Sequence, residues 1–176
     1  MNEETLVIES KNGNKEAFEK LMLLHGEQLY RTAFLYTGNR EDALDVVQDT
    51  VYKAYLDLHK LKRNQYFLTW VTKILIHTSY AILKKKEITI SKQDIVAQTS
   101  VDLDQRIDLI QAVGRLKDKY KDAIILFYFL DLPISEIASI MNIPKNTVKT
   151  YLFRGKKKLK EMLEEVSYDG KEIFSR

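Results

Sequence analysis

Between Lys145 and Lys160 the chain carries seven cations and no acid: Lys145, Lys149, Arg154, Lys156, Lys157, Lys158 and Lys160. Such side chains hold phosphate oxygens, and an arginine can also read a guanine edge through two parallel hydrogen bonds. Thr150 and Phe153 fall among them and can meet base edges through a hydroxyl and an apolar ring. A second group is acidic: Glu41, Asp42, Asp45 and Asp49 recur at short helical intervals. Carboxylates in that pattern complement a helix N-terminus and leave an acidic outer surface, or they collect a hard divalent cation for phosphoester hydrolysis. The hydrolytic reading lacks companions. There is no glycine-rich phosphate loop and no Glu-x-x-His ligand set, and His25, His59 and His77 are scattered. With no cysteine in the chain, disulfides, thiolate metal sites and a cysteine nucleophile are excluded together. Neither catalysis nor a bound cofactor or metal is expected.

The cations need an element to present them, and the residues before them supply it. Ser135 reads as the N-cap of a helix reaching about Met141, with Ile134, Ile137, Ala138 and Met141 on its buried face. Ala138 is small where a second helix must approach most closely. Asn142 falls where the turn needs a left-handed backbone, and Pro144 ends one helix and suits the opening turn of the next. Val148, Leu152 and Leu159 then mark the inward face of the second helix, which leaves Lys145, Lys149, Thr150, Phe153, Arg154 and Lys156 to Lys158 outside. The pattern is a helix-turn-helix, which lays its second helix in the DNA major groove.

The rest of the chain reads as all-α. It has 176 residues, two prolines and six glycines, and its net charge of +3 is modest, so nucleic-acid affinity must come from how charge is distributed. Ala17, Phe18, Leu21, Leu24, Leu29, Ala33, Phe34 and Tyr36 suggest one or two helices over Asn14 to Tyr36, capped by Gly38. Ala43, Val46, Val47, Thr50, Val51, Ala54 and Leu58 form the inner stripe of a helix starting near Asn39 or Arg40. After a basic connection, Lys60 to Asn64, a third helix is expected from about Tyr66 to Lys85. Phe67 and Trp70 belong to its core face, and Lys84, Lys85 and Lys86 at its end suit either a helix C-terminus or a phosphate backbone. The helical period fades after Glu87, and Ile88 and Ile90 alternate without a partner strand. The expected organisation is a first domain over 1–86, a linker over 87–102, a second domain over 103–165 and a tail over 166–176. In the second domain Leu103, Ile107, Ile110, Val113 and Leu116 precede an apolar run, Ala123 to Leu130, that should form the core under the helix-turn-helix. The N-terminal MNEETLVIES has no secretory pattern and no segment reaches the length of a membrane span, so a soluble, unprocessed, cytoplasmic protein is expected.

The order of these features resembles the small two-domain extracytoplasmic-function group of bacterial sigma factors, in the sigma-70 family. The resemblance spans about Gly13 to Leu163. GNKEAFEKLMLLHGEQLYRTAFLYTGNREDALDVVQDTVYKAY, Gly13 to Tyr55, is similar to the family's first conserved region, including the acidic core Asp45-Val46-Val47-Gln48-Asp49. FLTWVTKILIHTSYAILKKK, Phe67 to Lys86, is similar to the segment that handles the −10 element, and the helix-turn-helix to the part that reads the −35 element. What this implies is promoter-specific transcription initiation by assembly with core RNA polymerase, through the β′ clamp helices and the β flap. The alternative is a helix-turn-helix regulator that never binds the polymerase core, which would leave the first half unexplained. The resemblance makes Asp45, Gln48 and Asp49 core-polymerase contacts. It makes Lys73, His77, Lys84, Lys85 and Lys86 contacts to the −10 region, with Lys145, Lys149, Thr150, Phe153, Arg154, Lys156, Lys157 and Lys158 on the −35 side. It also implies an anti-sigma factor, commonly membrane-anchored in the family, as a further partner. Three residues depart from the family pattern: His77 where some members place an asparagine for a flipped base, Leu44 where an acid is common, and Asp131 where a glycine commonly precedes the helix-turn-helix. Asp131 is expected to need a different turn.

Overall fold

In the computed structural model residues 2–90 and 105–168 are described, and every regular element among them is helical. The chain divides into two compact units, Met1–Val96 and Ala97–Arg176.

The first unit contains α1 (Glu3–Lys11), α2 (Lys15–Thr37), α3 (Arg40–Asp57) and α4 (Phe67–Ile90). Asparagine starts three of them. Asn2 accepts from the Glu4 N–H at 2.9 Å, Asn14 from Ala17 at 3.2 Å and Asn39 from Asp42 at 2.9 Å, each satisfying a donor that the first turn of a helix leaves without a partner. Gly38, at φ 72, ends α2 in the left-handed conformation expected of it. α2, α3 and α4 pack against one another around Leu21, Leu29, Val46, Phe67, Val71 and Leu75, all almost fully buried. Phe67 is a core residue as expected, while Trp70 is half-buried beside it with ring centroids 6.0 Å apart. His25 is also a core residue, its ring 5.8 Å from that of Phe67.

Two features of this unit differ from expectation. α1 is too short for a clear helical period, yet it buries Leu6 and Val7. Lys11 at its end donates to the Leu61 carbonyl at 2.5 Å and to Asn64 Oδ1 at 2.6 Å, which ties α1 to the α3–α4 connection. α4 also runs on to Ile90, so residues 87–90, expected as the start of the linker, are helical. The rest of that linker, 91–102, lies outside the described residues, as do Leu103 and the tail from 169 onward.

The second unit contains α5 (Gln105–Arg115), α6 (Asp118–Ile124), α7 (Ile134–Met141) and α8 (Lys145–Tyr168). α8 packs against α5, α6 and α7 over Val113, Ile124, Ile125, Leu126, Ile137 and Val148. The apolar run continues from α6 as a π-helical turn, Ile125–Phe129, closed by the Leu130 N–H on the Ile125 carbonyl at 3.2 Å. That wider turn buries Ile125 and Leu126 but leaves Tyr128 and Phe129 exposed, so only part of the run is core. Asp131 follows at φ 51. The turn is therefore the one a glycine would make, held by an aspartate, which tolerates this conformation better than most residues, and no different turn is needed.

Candidate functional site

α7 and α8 form the helix-turn-helix. α7 starts two residues earlier than expected, capped by Pro133 at φ −66 and ψ 148 and not by Ser135. Proline is already fixed near helical φ and lacks the donor a cap would satisfy, so Ser135 becomes an exposed residue inside the first turn. Asn142 takes the left-handed conformation at φ 53 and ψ 47, and the Ile143 N–H reaches the Ala138 carbonyl at 3.1 Å, the six-to-one bond of a Schellman end. Pro144 then accepts from the Thr147 and Val148 N–H groups at 2.9 and 3.2 Å, which opens α8. Ile137, Ala138, Ile140 and Val148 are buried between the helices, whereas Ile134, Met141, Leu152 and Leu159 are half-buried at the margin.

All eight residues expected on the outer face of α8 are exposed: Lys145, Lys149, Thr150, Phe153, Arg154, Lys156, Lys157 and Lys158. Phe153 is 73% exposed, a large apolar ring among cations with nothing in its own unit to cover it. The Thr150 hydroxyl donates back to the Asn146 carbonyl at 3.0 Å and so is left to a ligand mainly as an acceptor. Arg154 and Lys158 lie at the edge nearest α6. There Tyr120 has its pKa lowered by hydrogen bonding from Arg154 and by the nearby charges of Lys119, Arg154 and Lys158, against the opposing effect of burial. Gly155 explains the close approach, since a Cβ there would sit 2.9 Å from Ile124 Cγ1. Neither Tyr120 nor Gly155 stood out in the sequence, because a tyrosine in an apolar helix and a glycine in a basic one carry no local pattern.

In the first unit the acids of α3 separate. Asp45, Gln48 and Asp49 are exposed on one face together with Leu44, Tyr52 and Leu56, which are 51%, 64% and 51% exposed. Asp42 belongs to neither this face nor a metal site. It is buried, accepts from Asn39 Nδ2 at 2.6 Å, and pairs with Lys86 of α4 at 2.5 Å. The Asn39-x-x-Asp42 spacing is that of a capping box, the signal that could have placed it inward. With Asp42 turned inward, Glu41, Asp42, Asp45 and Asp49 do not share one face, and no group of three or more metal-binding side chains occurs among the described residues.

The cations of α4 divide in the same way. Lys73 is half-buried, and His77 and Lys84 are exposed one and three turns further along the same face. Lys85 is exposed, and Lys86, two residues beyond Lys84, points to the opposite side and into Asp42. Three consecutive residues on a helix cannot share one face, so the Lys84-Lys85-Lys86 run does not act as one patch.

Sigma-70 region 2 matches residues 21–87 and sigma-70 region 4 matches residues 106–159. The RNA polymerase sigma factor SigV of Bacillus subtilis is 35% identical over 143 residues, covering 79% of this chain and 86% of that protein. The ECF RNA polymerase sigma factor SigW of the same organism is 27% identical over 177 residues, covering 89% and 94%. Among solved structures, CnrH in complex with the cytosolic domain of CnrY superposes with a TM-score of 0.74 at 20% identity, covering 93% of this chain and 97% of that one. RpoE from Bartonella quintana, solved with the anti-sigma factor NepR, gives 0.72 at 22% identity, covering 84% and 96%. At those identities the two structures speak to the fold, and the family follows from the matched regions and the relatives: the chain belongs to the sigma-70 family, as an RNA polymerase sigma factor of the extracytoplasmic-function group.

Proposed function

We propose that this sigma factor directs promoter-specific initiation through three surfaces. The exposed face of α3, with Asp45, Gln48 and Asp49, docks on the β′ clamp helices of core RNA polymerase. Lys73, His77, Lys84 and Lys85 of α4 face the −10 region. On α8, Lys149, Thr150, Phe153 and Arg154 meet base edges of the −35 element while Lys145, Lys156, Lys157 and Lys158 hold its phosphates. Lys86 is reassigned from DNA contact to joining α3 and α4, because its ammonium is committed to Asp42. The second unit, 103–165 with the helix-turn-helix, also meets the β flap. The protein works by binding and not by covalent chemistry.

The observation that carries this reading is the composition of the α3 face. A merely solvated acidic helix has no reason to leave Leu44, Tyr52 and Leu56 open to water beside Asp45, Gln48 and Asp49. A protein interface does, since aromatic and aliphatic anchors ringed by charge are what such surfaces use. A helix-turn-helix regulator acting without polymerase has no use for that face.

CnrH and RpoE were each solved with a protein bound, the cytosolic domain of CnrY and the anti-sigma factor NepR. By that likeness a protein inhibitor, commonly membrane-anchored in this family, is the partner that holds this chain inactive. The polymerase and the chromosome place its work in the cytoplasm, and no described helix is long and apolar enough to cross a membrane.

The decisive experiment is transcription in vitro with core RNA polymerase and genomic DNA fragments. Adding the protein should produce a defined set of start sites that core alone does not use. Absence of both core binding and start-site selection would end this reading, even if α8 still bound DNA.

A further inference from the structure

Lys119 on α6 is exposed, yet its ammonium has a fixed seat. Its Nζ lies 5.2 Å from the ring centre of Tyr120 and 5.5 Å from that of Tyr151 on α8, within the range over which a ring face attracts a cation. The two rings meet edge-on, with centroids 5.7 Å apart and an interplanar angle of 83°. Gly155 lets the helices come this close, because a Cβ there would lie 2.9 Å from Ile124 Cγ1 and 3.4 Å from Tyr120 Cβ. A ring face holds a cation by charge and takes none of its hydrogen bonds, so the three N–H donors of Lys119 stay available. No carboxylate among the described residues pairs with it, whereas Lys157 and Lys160 of α8 face Glu161 and Glu164 at 3.9 and 3.6 Å.

The aromatic pair seats this cation at one edge of α8. Tyr151, Arg154 and Lys158 follow one another at three- and four-residue intervals and share that edge over about 10 Å of helix axis. A helix about 10 Å across fills a major groove about 12 Å wide, so a sugar-phosphate backbone runs along each of its edges. We propose that Lys119 is a further DNA contact from outside the helix-turn-helix: it continues the phosphate-holding edge of Lys158 onto α6 and takes a phosphate flanking the −35 element. The inference rests on the reading of α8 as the −35 reader. A phosphate is common to every sequence, so this contact adds affinity and no base preference.

The test is filter binding of promoter DNA by polymerase holoenzyme containing wild type, Lys119→Gln or Lys119→Arg over a range of salt, with transcription from a −35 promoter library beside it. Lys119→Gln should make the fall of log K with log salt shallower by about 0.9, so its deficit against wild type shrinks about three- to fourfold between about 50 and 200 mM salt. Lys119→Arg keeps the charge and the ring contact and should restore the wild-type slope. Both variants should rank −35 sequences as wild type does. A wild-type slope with Lys119→Gln would mean that the lysine only joins α6 to α8 and would overturn the contact. A slope as shallow with Lys119→Arg, or a reordered ranking with either variant, would overturn it too. Arg154→Ala and Lys157→Ala separate the two levels of the reading. If neither alters promoter use, the α8 reader falls and Lys119 with it; if they do and Lys119→Gln does not, only Lys119 falls. Should Lys119→Gln not fold, wild type decides: promoter DNA added to the holoenzyme should slow acylation of the Lys119 amine, and equal labelling with and without DNA refutes the contact.

Discussion

The pairing of Asp42 with Lys86 makes the sharpest stability prediction, because it turns a lysine expected on DNA into a structural tie. Asp42 has a side chain only 3% exposed, while Lys86 is 50% exposed. Fully exposed pairs contribute about 0.2–1 kcal/mol, and removing one partner of a fully buried pair costs about 3–5 kcal/mol. This pair lies between those limits. Lys86→Met leaves the carboxylate with its Asn39 partner and the positive end of α3, so a loss of about 1 kcal/mol is expected after solvent screening. Asp42→Asn removes the charge from its pair and from the helix N-terminus together, and about 2 kcal/mol should be lost. In a unit of this size each kcal/mol lowers Tm by about 4–8 °C. Trp70 is the single tryptophan of the chain and lies on α4, so its emission during urea unfolding reports the first unit within the intact protein. A double-mutant cycle should return a coupling of at least about 0.5 kcal/mol. Coupling indistinguishable from zero, with promoter opening impaired by Lys86→Met at temperatures where the unit is folded, would refute the tie and return Lys86 to the DNA surface.

Four further outcomes follow from single contacts. Asp49→Arg reverses a charge on the open face of α3 and should weaken capture of core polymerase at least tenfold in a pull-down titration, with helical content by circular dichroism unchanged. Lys157→Ala should weaken promoter binding similarly across −35 sequences and make the salt dependence of log K shallower by about 0.9, one phosphate contact's share, in filter binding. Gly155→Ala gains about 1 kcal/mol of helix propensity but drives a methyl into buried Ile124, where overpacking costs about 1–3 kcal/mol; calorimetry should show the second unit destabilised and the Trp70 transition unmoved. For Tyr120 the sign with pH is fixed by a folded pKa below the unfolded value near 10. The added stability is therefore absent at neutral pH, where the phenol is protonated in both states, and grows as pH rises through the folded pKa. It is complete above the unfolded value, so urea midpoints of wild type and Tyr120→Phe should diverge only in alkali.

Much of the fold was legible because its boundaries are written in single residues with local reasons. Asn14, Gly38, Asn39 and Asn142 each fix a helix end through a hydrogen bond or a left-handed backbone, and all four lie where they were expected. Ser135 misled because the chain already enters the helix after Pro133, which makes no side-chain capping bond, so the serine falls inside the first turn. α1 was missed because nine residues with two buried side chains leave no periodic signal, and its place depends on Lys11 reaching a loop fifty residues away. The same limit applies to the sites. Exposure of the α8 cations follows from helix period alone, but the inward turn of Asp42 and the close approach of Gly155 to Ile124 depend on a second helix whose distance no local pattern records.

The two units also explain why neither surface has to be strong. On α8 the proposed base reader consists of Lys149, Thr150, Phe153 and Arg154, all exposed, and the Thr150 hydroxyl already donates a hydrogen bond to the Asn146 carbonyl. Such a reader has modest, salt-sensitive affinity by itself, since most of its cations meet phosphates that every sequence shares. Once the α3 face is docked on polymerase, the second unit is confined near the promoter and its binding becomes intramolecular. Selectivity then depends less on total affinity than on differences between sites. Loss of Asp49 should therefore weaken use of all promoters together, whereas loss of the Arg154 guanidinium should reorder them.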